Sequence, residues 1–227
     1  MKCDGILLDL DNTLYDYEAA HRPALEAAIR LAHERCGVSA AACREAFSAG
    51  RRQVHRELAE TAASHNRLLY FQRMLELLDA DPLAHALALY TRYWDVFLEH
   101  MIMDAAARSF LDSVGNRPIC LVSDLTAHIQ YRKIERLGLA GRIRHVVTSE
   151  EAGREKPHPW IFLLALRKLG MDAGRVCMVG DSFARDILGA SGLGIPSFWL
   201  NRSGETHPLP ANATEVKDLR EILSHLS

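Results

Sequence analysis

The pattern of apolar and polar residues changes twice along the chain. A short apolar run over residues 5–8 predicts a buried strand. From residue 15 to residue 104 the apolar positions recur at helical spacing, and only two prolines, Pro23 and Pro82, fall within this block. Beyond it, helical segments alternate with short apolar runs. The pattern therefore predicts a helical block placed between a first strand and a longer β/α region.

The helical block is predicted to form four helices. The first two helices are separated by a break at Gly37, Val38 and Ser39. The fourth helix begins with an N-cap at Asp81 and a proline, Pro82, at its first helical position. Four amphipathic helices suit a single bundle. The predicted helices span residues 18–36, 40–63, 66–79 and 82–99.

The β/α region predicts a parallel sheet. Its runs are apolar throughout, which is typical of strands that helices cover on both faces. Gly138 and Gly170 follow two of the helices, as C′ residues do. The predicted strands span residues 119–123, 145–148, 176–179 and 197–200, and the predicted helices span residues 105–114, 127–137, 159–169 and 218–226. The strand at residues 5–8 belongs with these strands, so we expect one α/β core from residues 1–14 and 105–227, with residues 15–104 inserted into it.

Composition and charge exclude several classes of protein. The chain has 227 residues, 48% of them hydrophobic, with a net charge of -2 and a pI near 6.6, so it lacks the basic excess of a nucleic-acid-binding protein. No apolar stretch approaches the length that spans a bilayer, and the first residues resemble a strand more than a signal peptide. Five cysteines without a C-x-x-C pair indicate reduced thiols. We expect a cytoplasmic protein without nucleic-acid or membrane partners.

Polar residues with related chemistry follow several predicted strands. In open α/β sheets, ligands bind beyond the carboxyl ends of the strands. Asp9 and Asp11 follow the first strand, and acidic side chains there offer hard oxygen ligands for Mg²⁺. A carboxylate can also attack phosphorus, and hydroxyl, lysine and backbone N–H groups can bind phosphate. The further groups near strand ends are Ser123, Asp124, Lys156, Asp181 and Asp186.

Each of these residues also has a simple structural interpretation. Asp9 and Asp11 precede Asn12 and Thr13 and could form an acidic turn, and Asp181 could be another turn residue. Ser123 could cap a helix, and Lys156 could be a solvated charge. Their joint occurrence at successive strand ends favours a phosphoryl-transfer site.

With its motifs in this order, the chain resembles the haloacid dehalogenase-like hydrolases, a superfamily with a Rossmann-like core that includes Mg²⁺-dependent phosphatases. DLDNTL at residues 9–14 is similar to the first motif of that family, and LVSD at residues 121–124 to the second. REKPHPWIF at residues 154–162 carries the lysine of the third, and VGDSFARD at residues 179–186 is similar to the fourth. The resemblance implies a Rossmann-like parallel sheet with an inserted all-helical cap that sets substrate specificity.

The resemblance also implies a role for each motif residue. Asp9 would be the nucleophile that forms an aspartyl-phosphate, and Asp11 would protonate the leaving oxygen and then activate water. Thr13 would help to orient Asp11. Mg²⁺ would be held by Asp9, the backbone carbonyl of Asp11, Asp181 and Asp186, the last directly or through water. Phosphate would be bound by Ser123, the N–H of Asp124 and Lys156, and Lys156 would also neutralise Asp9.

Two residue patterns favour one of the reactions known in this family over the others. Dehalogenases of this family lack the second acid of the first motif, so Asp11 favours phosphoester hydrolysis. Relatives that cleave phosphonates use a cap lysine, and residues 15–104 contain no lysine. A sugar-phosphate mutase and a non-catalytic phosphometabolite-binding protein remain as alternatives. We expect a phosphomonoester hydrolase acting on a small phosphorylated metabolite, with nucleotides and sugar phosphates favoured.

The inserted block is rich in arginine, histidine and aromatic residues. Aromatic side chains at helical spacing are more often core residues than ligand contacts, and helical arginines more often line solvated faces. If some of them instead contact the leaving group, the candidates are Tyr15, Tyr17, Arg22, Arg52 and Arg67. We expect a monomer or a homodimer.

Overall fold

The computed structural model describes residues 3–226 and divides the chain into two compact units. The first unit comprises residues 1–16 and 102–227, and the second comprises residues 17–101. The second unit is shorter than the predicted insert at both ends. Tyr15 and Met103 form an antiparallel bridge, and the Asp104 N–H donates to the Leu14 carbonyl at 3.0 Å, so these residues belong to the first unit.

The first unit is built on one six-stranded, fully parallel sheet, which confirms the predicted α/β fold. The strands are β1 (Gly5–Leu8), β2 (Ile119–Ser123), β3 (His145–Thr148), β4 (Val176–Gly180), β5 (Ser197–Leu200) and β6 (Ala213–Val216). Their order across the sheet is β3-β2-β1-β4-β5-β6. The sheet order places β1 between β2 and β4, so the carboxyl ends of these three strands are neighbours.

Register aligns these three strand ends. Leu8, the last residue of β1, pairs with Leu121 of β2 and with Val179 of β4. Every residue of the three strands is buried, because apolar side chains pack on both faces of the sheet. Ile161 and Phe162, from the helix that follows the third motif, belong to the core on one face. Residues directly after the three strands therefore gather at one edge of a rigid support.

The helices of the first unit lie between the strands in sequence. The α-helices are α5 (Ala105–Ser113), α6 (Ala127–Arg136), α7 (Ser149–Ala152), α8 (Pro159–Leu169) and α9 (Leu188–Ser191). The other helical segments are the 3-10 helices Ala173–Arg175 and Leu219–His225 and the π-helix Phe183–Ile187. The predicted closing helix at residues 218–226 is thus a 3-10 helix, which the Asp218 carboxylate caps by accepting the Arg220 N–H at 2.8 Å.

The second unit is all-helical, as predicted. It contains α1 (Tyr17–Cys36), α2 (Ala40–Glu57), α3 (Arg67–Leu77) and α4 (Pro82–His100), with a 3-10 helix at Ala62–His65. Asp81 caps α4 as expected, accepting the Leu83 N–H at 2.8 Å. Gly50 allows α2 and α3 to approach closely, since a Cβ there would lie 2.9 Å from the Arg73 Cβ.

The structure differs from the prediction at one further helix and at one strand. The helix predicted over residues 40–63 ends at Glu57, because Glu60 takes a left-handed conformation and Thr61 donates its hydroxyl to the Leu58 carbonyl at 2.8 Å. Strand β6 was not predicted, because only the last of its four residues is buried, so it has no apolar run.

Within residues 3–226 no helix is both long and apolar enough to cross a membrane. All five cysteines are free thiols, four of them buried.

Candidate active site

Asp9 lies immediately beyond β1, at the centre of the strand-end edge. Its side chain is buried, and its two carboxylate oxygens have separate partners. One oxygen accepts the Lys156 ammonium at 2.6 Å and the other accepts the Thr13 hydroxyl at 2.8 Å. Asn12 adopts a left-handed conformation, which turns the chain sharply after the strand and brings Thr13 back to Asp9. The prediction that Thr13 orients Asp11 is therefore wrong, because its hydroxyl bonds to Asp9 and orients that side chain.

Lys156 is a buried cation that bonds to a residue after β1, to a residue of β2 and to a residue of the π-helix after β4. Its ammonium donates to Asp9, to a carboxylate oxygen of Asp186 at 2.7 Å and to the Val122 carbonyl of β2 at 3.0 Å. The Lys156–Pro157 peptide bond is cis. Burial alone would lower the pKa of Lys156, but Asp186 and Asp9 raise it well above its ordinary value. The lysine therefore stays charged between two carboxylates.

Three carboxylates form an acidic cluster at this edge. Oxygen atoms of Asp9, Asp181 and Asp186 all lie within 4.8 Å of one another. Burial raises the pKa of Asp9 to about 6, and Asp186 adds to the rise while Lys156 opposes it. Burial and the charges of Asp9 and Asp186 raise the pKa of Asp181 to about 8. The cluster carries more negative charge than Lys156 compensates.

The cluster fits a divalent cation. Three ionised carboxylates and one ammonium leave two negative charges, and carboxylate oxygens are the ligands that Mg²⁺ and similar hard cations take. Gly180 leaves room for this arrangement, because a Cβ at that position would lie 2.8 Å from the Asp186 Cβ. The Ser182 N–H donates to the second oxygen of Asp186 at 3.0 Å and fixes its orientation.

Asp11 lies in a separate group of polar residues from that of Asp9. Its carboxylate accepts the Lys133 ammonium at 2.6 and 2.8 Å, the Tyr15 hydroxyl, and the Gln130 amide at 3.4 Å. Burial favours the neutral form, yet Lys133, Tyr15 and Gln130 lower the pKa of Asp11 below its usual value. Asp11 is thus held as a carboxylate.

The structure changes the interpretation of Tyr15 and adds two residues to the site. Tyr15 was a candidate for leaving-group contact, but it is fully buried and donates to Asp11, so it is a support for that side chain. Gln130 and Lys133 were missed. Both are fully buried on α6, on the same face as Ile134. A lysine and a glutamine within an apolar stripe are the signal that could have identified them.

The second motif supplies a hydroxyl and a backbone turn. Ser123, the last residue of β2, is buried, and its hydroxyl accepts the Gln130 amide at 2.6 Å. The Asp124 carboxylate accepts the Lys156 backbone N–H at 2.9 Å and a guanidinium N–H of Arg185 at 3.3 Å. Gln130 thereby connects Ser123 to Asp11, and Asp124 connects the second and third motifs.

A polar cavity of about 730 Å³ lies in the same unit beside Asp181. Asn12, Asp104 and Arg202 contribute to its wall. Arg202 pairs with Asp104 at 2.8 Å and donates to the Asn12 carbonyl at 2.9 Å, which ties the turn after β1 to the segment that follows β5. This space is large enough for a small metabolite.

The remaining candidates for leaving-group contact lie in the helical unit and divide into two kinds. Arg67 is buried and donates to the Tyr17 hydroxyl and to the His65 carbonyl, and its guanidinium lies over the rings of neighbouring aromatic residues. Arg67 and Tyr17 are therefore bonded to each other inside the bundle. Arg22 is exposed and lies 3.6 Å from Glu18, and Arg52 is exposed on the wall of a cavity within this unit.

Known proteins with similar sequences are hydrolases and phosphatases. A family model described as haloacid dehalogenase-like hydrolase matches residues 3–194. The chain is 40% identical to a ribulose-1,5-bisphosphate 5-phosphatase of Halopiger xanaduensis, over 94% of this chain and 89% of that protein. It is 30% identical to a glyceraldehyde 3-phosphate phosphatase of Methanopyrus kandleri, over 96% of this chain and 95% of that protein.

A solved structure shares the fold. The crystal structure of a phosphatase of this superfamily from Thermococcus onnurineus superimposes with a TM-score of 0.79 at 24% identity, covering 100% of this chain and 98% of that one. The family model and the two relatives each extend over most of the sequence. The chain therefore belongs to the haloacid dehalogenase-like hydrolases, and within that family it is a phosphatase.

Proposed function

We propose that the protein is a Mg²⁺-dependent phosphomonoesterase that acts on a small phosphorylated sugar through an aspartyl-phosphate at Asp9. The observation that carries the proposal is the buried Asp9 carboxylate, fixed by Lys156 and Thr13 beside Asp181 and Asp186. The names of the two relatives, a sugar-bisphosphate phosphatase and a triose-phosphate phosphatase, favour a sugar phosphate over a nucleotide.

In the first step, an Asp9 oxygen bonds to phosphorus while the ester oxygen leaves. Lys156 and Thr13 hold the carboxylate in one orientation, so little motion is needed to align it with the phosphorus. The Ser123 hydroxyl and the N–H of Asp124 bind the phosphoryl oxygens, on which negative charge remains through the transfer. Asp11 gives its proton to the leaving oxygen.

In the second step, Asp11 takes a proton from water, and the resulting hydroxide attacks phosphorus and releases Asp9. The charged form of Asp11 that Lys133, Tyr15 and Gln130 stabilise is the form needed for this step. For the first step Asp11 must carry a proton, so its ion pair with Lys133 opens during the cycle.

Asp9, the backbone carbonyl of Asp11, Asp181 and Asp186 would hold Mg²⁺. The cation supplies charge neutralisation, so that an anionic carboxylate can approach an anionic phosphate. Asp186 is fully buried and bonded to Lys156 and to the Ser182 N–H, so it is the most firmly oriented of these ligands.

The test is phosphate release from a panel of sugar phosphates and nucleotides, with Mg²⁺ and with EDTA. We expect Mg²⁺-dependent release that Asp9→Asn abolishes. Asp112→Asn is the matched control, because Asp112 is an exposed aspartate of the same unit and lies outside the acidic cluster. Full release by Asp9→Asn would refute the covalent route, and isomerised sugar phosphate appearing faster than free phosphate would identify a mutase instead.

A further inference from the structure

The helical unit contains a cavity that is lined by its own residues. It has a volume of about 710 Å³ and lies against α1 and α2. Besides apolar and hydroxyl groups, its wall carries three arginines and two histidines: Arg51, Arg52, Arg56, His21 and His55. None of the described residues on this wall is a carboxylate. Every ionisable group on the wall is therefore a cation or a group that can become one.

The three arginines differ from others in the same unit. Arg44 pairs with Glu26, and Arg73 pairs with Glu57 at 3.3 Å, so nearby acids are already engaged. Among the residues that the structure describes, the side chains of Arg51, Arg52 and Arg56 form neither an ion pair nor a hydrogen bond. Arg52 and Arg56 are also four residues apart on α2, and like charges at that spacing repel.

Nearby cations act on a histidine of the cavity wall. Burial, together with the charges of Arg67, Arg51 and Arg22, lowers the pKa of His21 to about 4. Arg67 adds a buried guanidinium whose hydrogen bonds go to the neutral Tyr17 hydroxyl and His65 carbonyl. An anion in the cavity would thus meet several uncompensated cations and no competing carboxylate on the wall.

The permanent cations of this wall are guanidinium groups, since the unit has no lysine. A guanidinium presents paired N–H donors that match two oxygens of a phosphate, and several arginines at one place are typical of phosphate recognition. The volume suits a small molecule carrying such a group.

We propose that this cavity binds a phosphate group of a small metabolite, with Arg51, Arg52 and Arg56 as its principal ligands. The phosphate is that of a small phosphorylated metabolite or inorganic phosphate itself, and its binding here does not depend on turnover at Asp9.

Binding is tested first without catalysis. In Asp9→Asn protein, the ring signals of His21 and His55 are followed by NMR while inorganic phosphate, a sugar monophosphate or a sugar bisphosphate is added. Each signal is assigned by replacing its histidine with Gln. We expect both signals to shift saturably, and we expect an Arg52→Gln/Arg56→Gln pair of substitutions to weaken binding about tenfold or more.

Arg30→Gln is the matched control, because Arg30 is an exposed arginine of α1 that has no ion pair within residues 3–226 and is not on the cavity wall. It should leave the histidine shifts unchanged. Because Arg52 and Arg56 are exposed, we expect the doubly substituted protein to fold, and its melting temperature checks this. Histidine signals that stay in place with all three ligands, or that shift equally in the wild-type and doubly substituted proteins, would overturn the phosphate site.

Phosphate release is measured separately on the same proteins, so that the phosphate site and the proposed phosphatase function can fail independently. An inactive enzyme with intact histidine shifts would refute the proposed phosphatase function and leave the phosphate site supported.

Discussion

Mg²⁺ affinity should fall steeply when the pH is lowered from 8 to 6. Cation binding requires ionised carboxylates, and burial raises the pKa of all three in the cluster, that of Asp181 to about 8 and that of Asp9 to about 6. An acid with a raised pKa keeps its proton below that pKa, so each carboxyl must lose a proton before it binds the cation. Lys156 remains charged throughout and contributes no proton.

The size of the effect follows from these two pKa values. At pH 8 about half of Asp181 and nearly all of Asp9 are ionised, whereas at pH 6 only about 1% of Asp181 and about half of Asp9 are. From Asp181 and Asp9 alone, the apparent association constant should therefore drop roughly 100-fold over this range. These two acids should release about 0.5 proton at pH 8, about 1 at pH 7 and about 1.5 at pH 6 on binding, and the raised pKa of Asp186 adds to both effects.

Isothermal titration calorimetry in pairs of buffers with different ionisation enthalpies measures both quantities. Asp181→Asn should bind Mg²⁺ more weakly and release about 0.9 fewer protons than the wild type at pH 7, because Asp181 no longer titrates. The exposed Asp112→Asn control should match the wild type. An affinity that is constant between pH 6 and pH 8, or binding without proton release at pH 7, would refute the link between buried charge and cation binding.

Two substitutions test how the cluster is held. Lys156→Met removes the buried cation between Asp9 and Asp186, so urea unfolding at pH 8 with EDTA should show a loss of about 3–5 kcal/mol. The control Lys168→Met affects a partly exposed pair and should cost about 1 kcal/mol or less, so equal losses would count against a buried charge network. Gly180→Ala pushes against Asp186 and should weaken Mg²⁺ binding about tenfold or more, whereas Gly174→Ala, with open space at its Cβ, should match the wild type in the same titration.

The sheet and its reactive edge were largely predictable from sequence, because both depend on strong local patterns. Buried parallel strands are apolar throughout, and residues after such strands meet at one edge whatever the loops do. Asp9, Lys156, Asp181 and Asp186 could therefore be expected near one another, and the structure brings them together.

The sequence could not predict hydrogen-bond partners that depend on tertiary packing. Thr13 bonds Asp9 instead of Asp11 because the left-handed Asn12 reverses the chain after the strand, a conformation that the residue type permits without requiring it. Lys133 reaches Asp11 from α6 across 122 positions of sequence. Strand β6 was not predicted because it forms through hydrogen bonding with β5, while its own sequence has no run of apolar residues.

The stereochemical course at phosphorus tests the covalent role of Asp9 most directly. The measurement uses a chiral, isotopically labelled thiophosphate ester of a substrate found in the panel, with the configuration of the released thiophosphate determined after turnover. Each in-line displacement inverts phosphorus, so attack by Asp9 followed by attack of water predicts net retention. Net inversion would show that water attacks the ester in a single step and would contradict an aspartyl-phosphate at Asp9.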